Sequence, residues 1–210
     1  MRNKEKEVKN PEAIGLVLGN AAWGALTLVT PEGRPFVVPV SFVYFRDRLF
    51  FHSARAGEKM AILKARPEAS FLVVDTFSKI PSYLFDPNDA NAGITVFRSV
   101  IVQGHVSTVN DLDLKAAVLQ AFMSKYQPEG GYEPITASSP TYSAVLRGVA
   151  ILEIVLEQKS GKFGLGQKLG AEAKASVMRF LEERGTETDR RTLEALAYGI
   201  GPKESDSGSG

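Results

Sequence analysis

Three apolar segments, Trp23 to Thr30, Phe36 to Tyr44 and Leu49 to Ser53, follow one another with only short turns between them. The first turn is Pro31-Glu32-Gly33-Arg34 and the second is Arg46-Asp47-Arg48. So few residues cannot return the chain for a parallel crossover, so the three segments must pair as antiparallel strands. Their apolar residues barely alternate with polar ones. Strands of that kind are expected to be covered on both faces, by a barrel interior on one side and a helix or partner on the other.

The rest of the chain is not the strand–helix alternation of a parallel sheet. Asn10-Pro11-Glu12 reads as a capped helix start, running to about Asn20. Gly57 to Arg66 has helical spacing and stops at Pro67. Ala69 to Thr76 reads as a strand, and Phe77 to Gly93 as a long irregular stretch. Ile94 to Val109 is a long strand with a bulge expected at Gly104. Asp111 to Tyr126 is an amphipathic helix capped by Asn110, and Pro128 to Pro140 a loop. Tyr142 to Glu157 reads as the last strand, with helices at Ala171 to Arg184 and Thr188 to Tyr198. This order predicts a mainly β (α+β) chain: a six-stranded antiparallel barrel with peripheral and C-terminal helices. The organisation expected is a charged lead over 1–10, one barrel domain over 11–170, a helical appendage over 171–200 and a disordered tail over 201–210.

Composition removes several functions. The 210 residues carry a formal net charge of +1, which gives no electrostatic case for nucleic acid. There is no cysteine, so no disulfide, thiolate nucleophile or Cys-ligated metal. The two histidines, His52 and His105, are too few for a multi-histidine metal site, and no metal is expected. The charged start lacks a signal-peptide core and no apolar run approaches a membrane span, so a cytoplasmic protein without membrane contact is expected.

Two segments invite a binding reading. Gly161 to Lys168 is Gly-rich, but it lacks the Lys-Ser/Thr of a phosphate loop and the third Gly of a dinucleotide fingerprint. Phe51-His52-Ser53-Ala54-Arg55-Ala56-Gly57-Glu58-Lys59 is sharper. A strand end, a hydroxyl, a helix N-terminus and an ammonium together can hold an anion; the alternative is a plain turn with a solvated lysine. His52 either packs as a strand-end residue or sits over a ligand as a proton donor. Arg98 is either an ion-pair partner or a second cation on the same anion. His105 reads as structural, Trp23 and the phenylalanines as core. Ser53, Ser139 and Ser143 lack a His/Asp constellation, which argues against a serine hydrolase.

Gly33 to Tyr44, Leu49 to Ala54, Gly57-Glu58-Lys59 and Phe97 to Gly104, in this order and spacing, resemble the FMN-binding split-barrel family of pyridoxamine 5'-phosphate oxidase. Within it they are nearest the nitroimidazole-resistance branch. The resemblance implies bound FMN and a homodimer with FMN at the interface. It implies that Val38, Pro39 and Val40 present backbone to the isoalloxazine ring. His52 and Ser53 then lie beside the ribityl phosphate, and Lys59 binds that phosphate. Glu58 stands where the oxidase has an Arg, so Arg55 or Arg98 would supply the charge. Ser99, Val100 and Gln103 fall on the flavin-contacting strand, and Lys162 and Gln167 in a post-barrel cofactor contact. The oxidase's C-terminal Arg and His substrate pattern is missing, which argues against pyridoxamine phosphate as substrate. The resemblance implies an FMN-dependent oxidoreductase of flavin-reductase or nitroreductase type, taking electrons from NAD(P)H to a small or aromatic acceptor, with His52 as catalytic residue. The alternatives are a flavin carrier or sensor without turnover, or a haem- or deazaflavin-binding barrel.

Overall fold

The computed structural model describes residues 4–198; the Gly/Ser tail and its expected disorder lie outside them. The described elements are β1 (Glu7–Val8), α1 (Pro11–Asn20), β2 (Trp23–Val29), β3 (Pro35–Phe45), β4 (Arg48–Ser53), α2 (Glu58–Ala65), β5 (Glu68–Ile80), β6 (Ile94–Val109), α3 (Leu112–Tyr126), α4 (Pro140–Gly148), β7 (Ala150–Gly164), α5 (Ala171–Arg184) and α6 (Glu187–Tyr198). The described residues form two compact units, one of residues 18–73 and 101–159, the other of 4–17, 74–100 and 160–198.

In the unit of residues 18–73 and 101–159 the strands run in the order β7-β4-β3-β2-β5-β6, and β6 pairs back to β7. That last pairing turns an open sheet into a ring of six strands, the closure expected from the sequence. The Thr30–Arg34 turn is closed by Gly33, whose φ of 82° suits a residue without Cβ, with its N–H on the Thr30 carbonyl at 2.9 Å. Arg46 and Asp47 both take positive φ, 51° and 59°, making the two-residue turn whose twist matches a hairpin. On β6, a Cβ at Gly104 would lie 1.9 Å from the Val155 carbonyl oxygen. Only glycine allows the backbones of β6 and β7 to approach so closely.

The core of this unit gathers Val43, Phe50, Val109, Val118, Phe122 and Ile151, bringing strands and α3 together. Leu49, Phe50 and Phe51 are all fully buried, so β4 is covered on both faces as expected. β2 behaves differently. Gly24, Leu26 and Leu28 point inward while Trp23 and Val29 point out, and Trp23 is 62% exposed rather than core. An apolar residue at an outward position of an alternating strand satisfies β propensity without being buried.

Several boundaries differ from the sequence reading; β7, expected to end at Glu157, runs on to Gly164. The cap of α3 is Asp111, which accepts from the Leu114 N–H at 2.6 Å, not Asn110. Pro140–Gly148 is helical, although the loop was expected to run to Pro140 and the last strand to begin at Tyr142. Pro140 at the first turn pre-sets φ, and Tyr142, Val145 and Leu146 share the i, i+3, i+4 face of a helix. β5 runs on to Ile80, which shortens the irregular stretch before β6.

In the unit of 4–17, 74–100 and 160–198, β1 pairs antiparallel with β7, Glu7 opposite Lys162 and Val8 opposite Gly161. α5 and α6 form a hairpin that turns at Gly185, φ 63°. Its anchor is Asp189, fully buried. Asp189 accepts from Ser78 Oγ at 2.5 Å, from Arg184 Nε at 2.9 Å and from the Thr186 N–H at 3.1 Å. Thr192 Oγ1 accepts the Ser78 N–H at 2.9 Å, so β5 and α6 are tied through two neighbouring bonds. Among the described residues no helix is long and apolar enough to cross a membrane.

Candidate functional site

β3 and β4 start as a close pair and then part. Their register runs from Phe45↔Arg48 to Phe42↔Phe51 and goes no further. Continued, it would set Ser41 against His52 and Val40 against Ser53. Instead β3 keeps β2 on one side from Pro35 to Ser41, while His52 and Ser53 pair with Ile151 and Ala150 of β7. The ring therefore opens between the two strands. Val38, Pro39 and Val40 lie on one lip of the opening, and His52 and Ser53 lie on the other. Pro39, which has no N–H to donate, sits where β3 has lost a neighbour, as strand prolines do.

From Ser53 the chain crosses a four-residue loop into α2. Gly57, φ 112° and ψ 170°, stands at the cap position, and no side chain caps the helix. The first-turn N–H groups of α2 are left to solvent or a ligand, and the helix dipole makes them an anion site. Lys59 is in that first turn, half-buried, its ammonium 5.5 Å from the Phe51 ring centre. Burial lowers its pKa below the ordinary lysine value. His52 is exposed on one side and meets the Phe122 ring edge-on, 5.0 Å between centres. Desolvation, then the nearby Lys59 charge, hold the His52 pKa below the usual 6.5, so the ring is neutral at pH 7. A neutral imidazole has one donor and one acceptor, so it can accept a proton or donate one hydrogen bond.

The wall behind His52 comes from α3. Tyr126 stacks on Phe122 at 5.9 Å, and its hydroxyl takes the Phe42 N–H at 3.0 Å and donates to the Ala22 carbonyl at 2.6 Å. This fixes the helix end against the point where β3 loses a strand partner. Sequence reading missed Phe122 and Tyr126, because helical spacing marks them only as an apolar stripe.

Two further cations of this unit are engaged at the end of α4. Arg55 donates Nε to the Gly148 carbonyl at 2.9 Å and Nη2 to the Arg147 carbonyl, closing the end of α4. Lys115, buried, donates Nζ to the Leu146 and Val149 carbonyls, both at 3.0 Å. Helix C-terminal carbonyls attract cations for the same dipole reason that N-termini attract anions. In this unit Gln103 lies apart from the opening, on a shallow groove with Thr27, Ser70 and Glu157. His105 Nδ1 is 2.9 Å from Glu157 Oε1.

The other unit holds the remaining sequence-selected residues. Arg98 is 6% exposed, donates Nη2 to the Ala195 carbonyl at 3.3 Å and lies over the Phe77 and Phe163 rings. Val100 is fully buried, leaving only its backbone for a ligand. Ser99 Oγ donates to the Lys162 carbonyl at 3.2 Å, and the Lys162 ammonium is 5.8 Å from the Phe97 ring centre. Gln167 folds onto its own loop, donating to the Phe163 carbonyl at 2.6 Å and accepting the Leu165 N–H at 3.0 Å.

A family model described as pyridoxamine 5'-phosphate oxidase matches residues 10–163. A comparison with curated proteins gives no match. Among solved structures, the flavocytochrome Anf3 from Azotobacter vinelandii is similar with a TM-score of 0.66 at 21% identity, over 83% of this chain and 77% of that one. A candidate 5-nitroimidazole antibiotic resistance protein from Bacteroides thetaiotaomicron VPI-5482 gives 0.60 at 20%, over 74% and 85%. An FAD and heme binding protein from Mycobacterium smegmatis gives 0.60 at 17%, over 81% and 80%. At such identities these likenesses establish the shared fold.

Proposed function

The chain belongs to the pyridoxamine 5'-phosphate oxidase family, and from that premise we propose that it is an FMN-dependent oxidoreductase. The observation that carries the proposal is the parting of β3 and β4, which places Val38–Val40 and His52–Ser53 on facing lips beside the uncapped start of α2. These residues suit a flavin mononucleotide. A flat ring system needs an open strand edge rather than a filled barrel wall. A phosphate needs N–H donors and a cation, which α2 and Lys59 offer.

When bound, FMN supplies the hydride and electron chemistry. The chain's own tasks are to bind, orient and exclude water. Lys59, Ser53 and the first-turn amides of α2 hold the phosphate. The β3 lip orients the ring. Neutral His52, backed by Phe122, accepts a proton or donates a hydrogen bond. The donor in this reading is NAD(P)H, and the acceptor a small or aromatic compound. The resemblance and the outward apolar residues of β2 and β3 support a homodimer with FMN at the interface.

Apo-protein titrated with FMN and with riboflavin tests the assignment. FMN is expected to bind well over tenfold more tightly, because riboflavin lacks the group that makes the charge-assisted bonds. Equal affinity would remove the phosphate site from α2. Anaerobic addition of NADH or NADPH should bleach the bound flavin. Retention of the oxidised spectrum with both donors would favour a carrier or sensor.

A further inference from the structure

A second concavity of the barrel-forming unit lies away from the β3–β4 opening. It is a groove of about 760 Å³ between the far end of β3, the outer face of α3 and the loop around 135–137. That volume is in the range of small-molecule sites. The space exists because α3 presents Ala116, Ala117 and Ala121 there, while Val43, Phe45 and Ile135 provide apolar walls. Gln120 secures the loop side, donating to the Tyr132 hydroxyl at 3.2 Å and accepting the Ile135 N–H at 2.9 Å.

Lys125 lines this groove at the C-terminal end of α3. Its ammonium donates to the Phe42 carbonyl at 3.0 Å and lies 4.1 Å from the Phe42 ring centre and 5.4 Å from that of Tyr126. A carbonyl and two ring faces attract the charge but do not cancel it. Among the described residues no carboxylate is within ion-pair distance of Lys125. Asp113, the one acidic residue lining the groove, is twelve residues back on α3, roughly 18 Å along the axis. A half-buried cation, apolar walls and no counter-ion describe one end of an amphiphile's complement.

We infer that this groove binds a small molecule with an aliphatic body and a carboxylate, the carboxylate pairing with Lys125. The ammonium has two further N–H groups beyond the one given to Phe42, enough for both oxygens of a carboxylate. Burial pushes the free Lys125 down to about 8, and an arriving anion reverses that shift, so binding above that pH takes up a proton. The titratable groups around it are Tyr126 and Asp113 on α3 and Tyr44 on β3, the last with its hydroxyl 3.3 Å from Asp47; the 135–137 loop and Gly19 bring none. Tyr126 is itself raised by burial and stays neutral through the window tested.

Three probes with one body and different heads decide the matter: decanoate, decan-1-ol and decyltrimethylammonium, titrated calorimetrically into the full chain with FMN present and absent. At pH 7 decanoate is expected to bind at least tenfold more tightly than decanol, and the cation more weakly than both. FMN should leave these affinities unchanged. At pH 8.5, titration in buffers of different ionisation enthalpy should show proton uptake with decanoate and none with decanol. Lys125→Met should erase both the preference and the uptake. Ala117→Phe, which fills the groove and leaves the Lys125–Phe42 bond in place, should abolish binding of decanoate and decanol alike. Equal affinity for decanoate and decanol, absence of proton uptake, displacement by FMN, or binding that survives Ala117→Phe would each overturn the inference.

Discussion

Lys59 and His52 are a coupled pair at the residue scale. Lys59→Ala should weaken FMN binding by about 1.5–3 kcal/mol, roughly ten- to a hundredfold, because a charge-assisted bond is lost. Lys64→Ala, in the last turn of the same helix, should change it little, since it is an exposed lysine far from the N-terminal amides. Equal losses in the two variants would move the phosphate elsewhere. The Lys59 charge is also the second cause of the low His52 pKa. Lys59→Met should therefore move the His52 titration, followed by NMR, up toward the ordinary histidine value, and no movement would separate the two residues. The sign of the stability effect follows. With the folded pKa depressed, the unfolded chain holds more protons between that value and 6.5, so His52 makes stability rise with pH across that window and has no effect above it. That His52, Ser53 and Lys59 lie together was legible in the sequence because the segment is continuous. Phe122 and Tyr126 were not, because their contacts with His52 and Phe42 span about 70 and 84 residues of chain and leave no local spacing.

At the scale of elements, the α5–α6 hairpin hangs on one buried carboxylate. Arg184, then Ser78 and Thr186, hold Asp189 well below the ordinary carboxylate range, against the opposing effect of burial. Its stabilisation is complete above the unfolded value near 3.9 and is lost as pH falls below it. Asp189→Asn should cost about 3 kcal/mol, the low end for a broken buried pair, because Arg184 keeps part of its side chain in water. Hydrogen exchange should show α5 and α6 opening first, with β2, β3 and β4 still protected; uniform loss of protection would contradict an anchor confined to the hairpin. The sequence supplied the two helices through their period. It could not supply the anchor, since Ser78 and Asp189 are 111 residues apart. The strand misreading at Tyr142 to Gly148 has a similar origin. Short apolar stretches fit periods of 2 and 3.6 about equally, and Pro140 with the waiting cations Arg55 and Lys115 decides for helix.

For the whole molecule, the outward residues of β2 and β3 matter most. Register places Trp23, Ala25, Thr27 and Val29 opposite Ser41, Pro39, Val37 and Pro35, all on one face. Trp23 is 62% and Val37 61% exposed. A second copy covering this face would account for apolar residues that a monomer rarely leaves in water. The expected result is a homodimer by sedimentation whose dissociation constant falls on adding FMN, since a ligand held only by the assembled form favours assembly. A monomer with full FMN affinity across a dilution series would end the shared-site reading. By itself the sequence determined the antiparallel hairpins, the peripheral helices and the anion-ready β4–α2 segment, because turns, caps and periodicity are set by neighbours within a few residues. Tertiary structure alone decided that β3 and β4 separate after Phe42 and Phe51, that Arg55 closes α4, and that Trp23 faces outward. Those outcomes depend on which backbones compete for the same hydrogen bonds across the ring, a competition among residues up to about 100 positions apart.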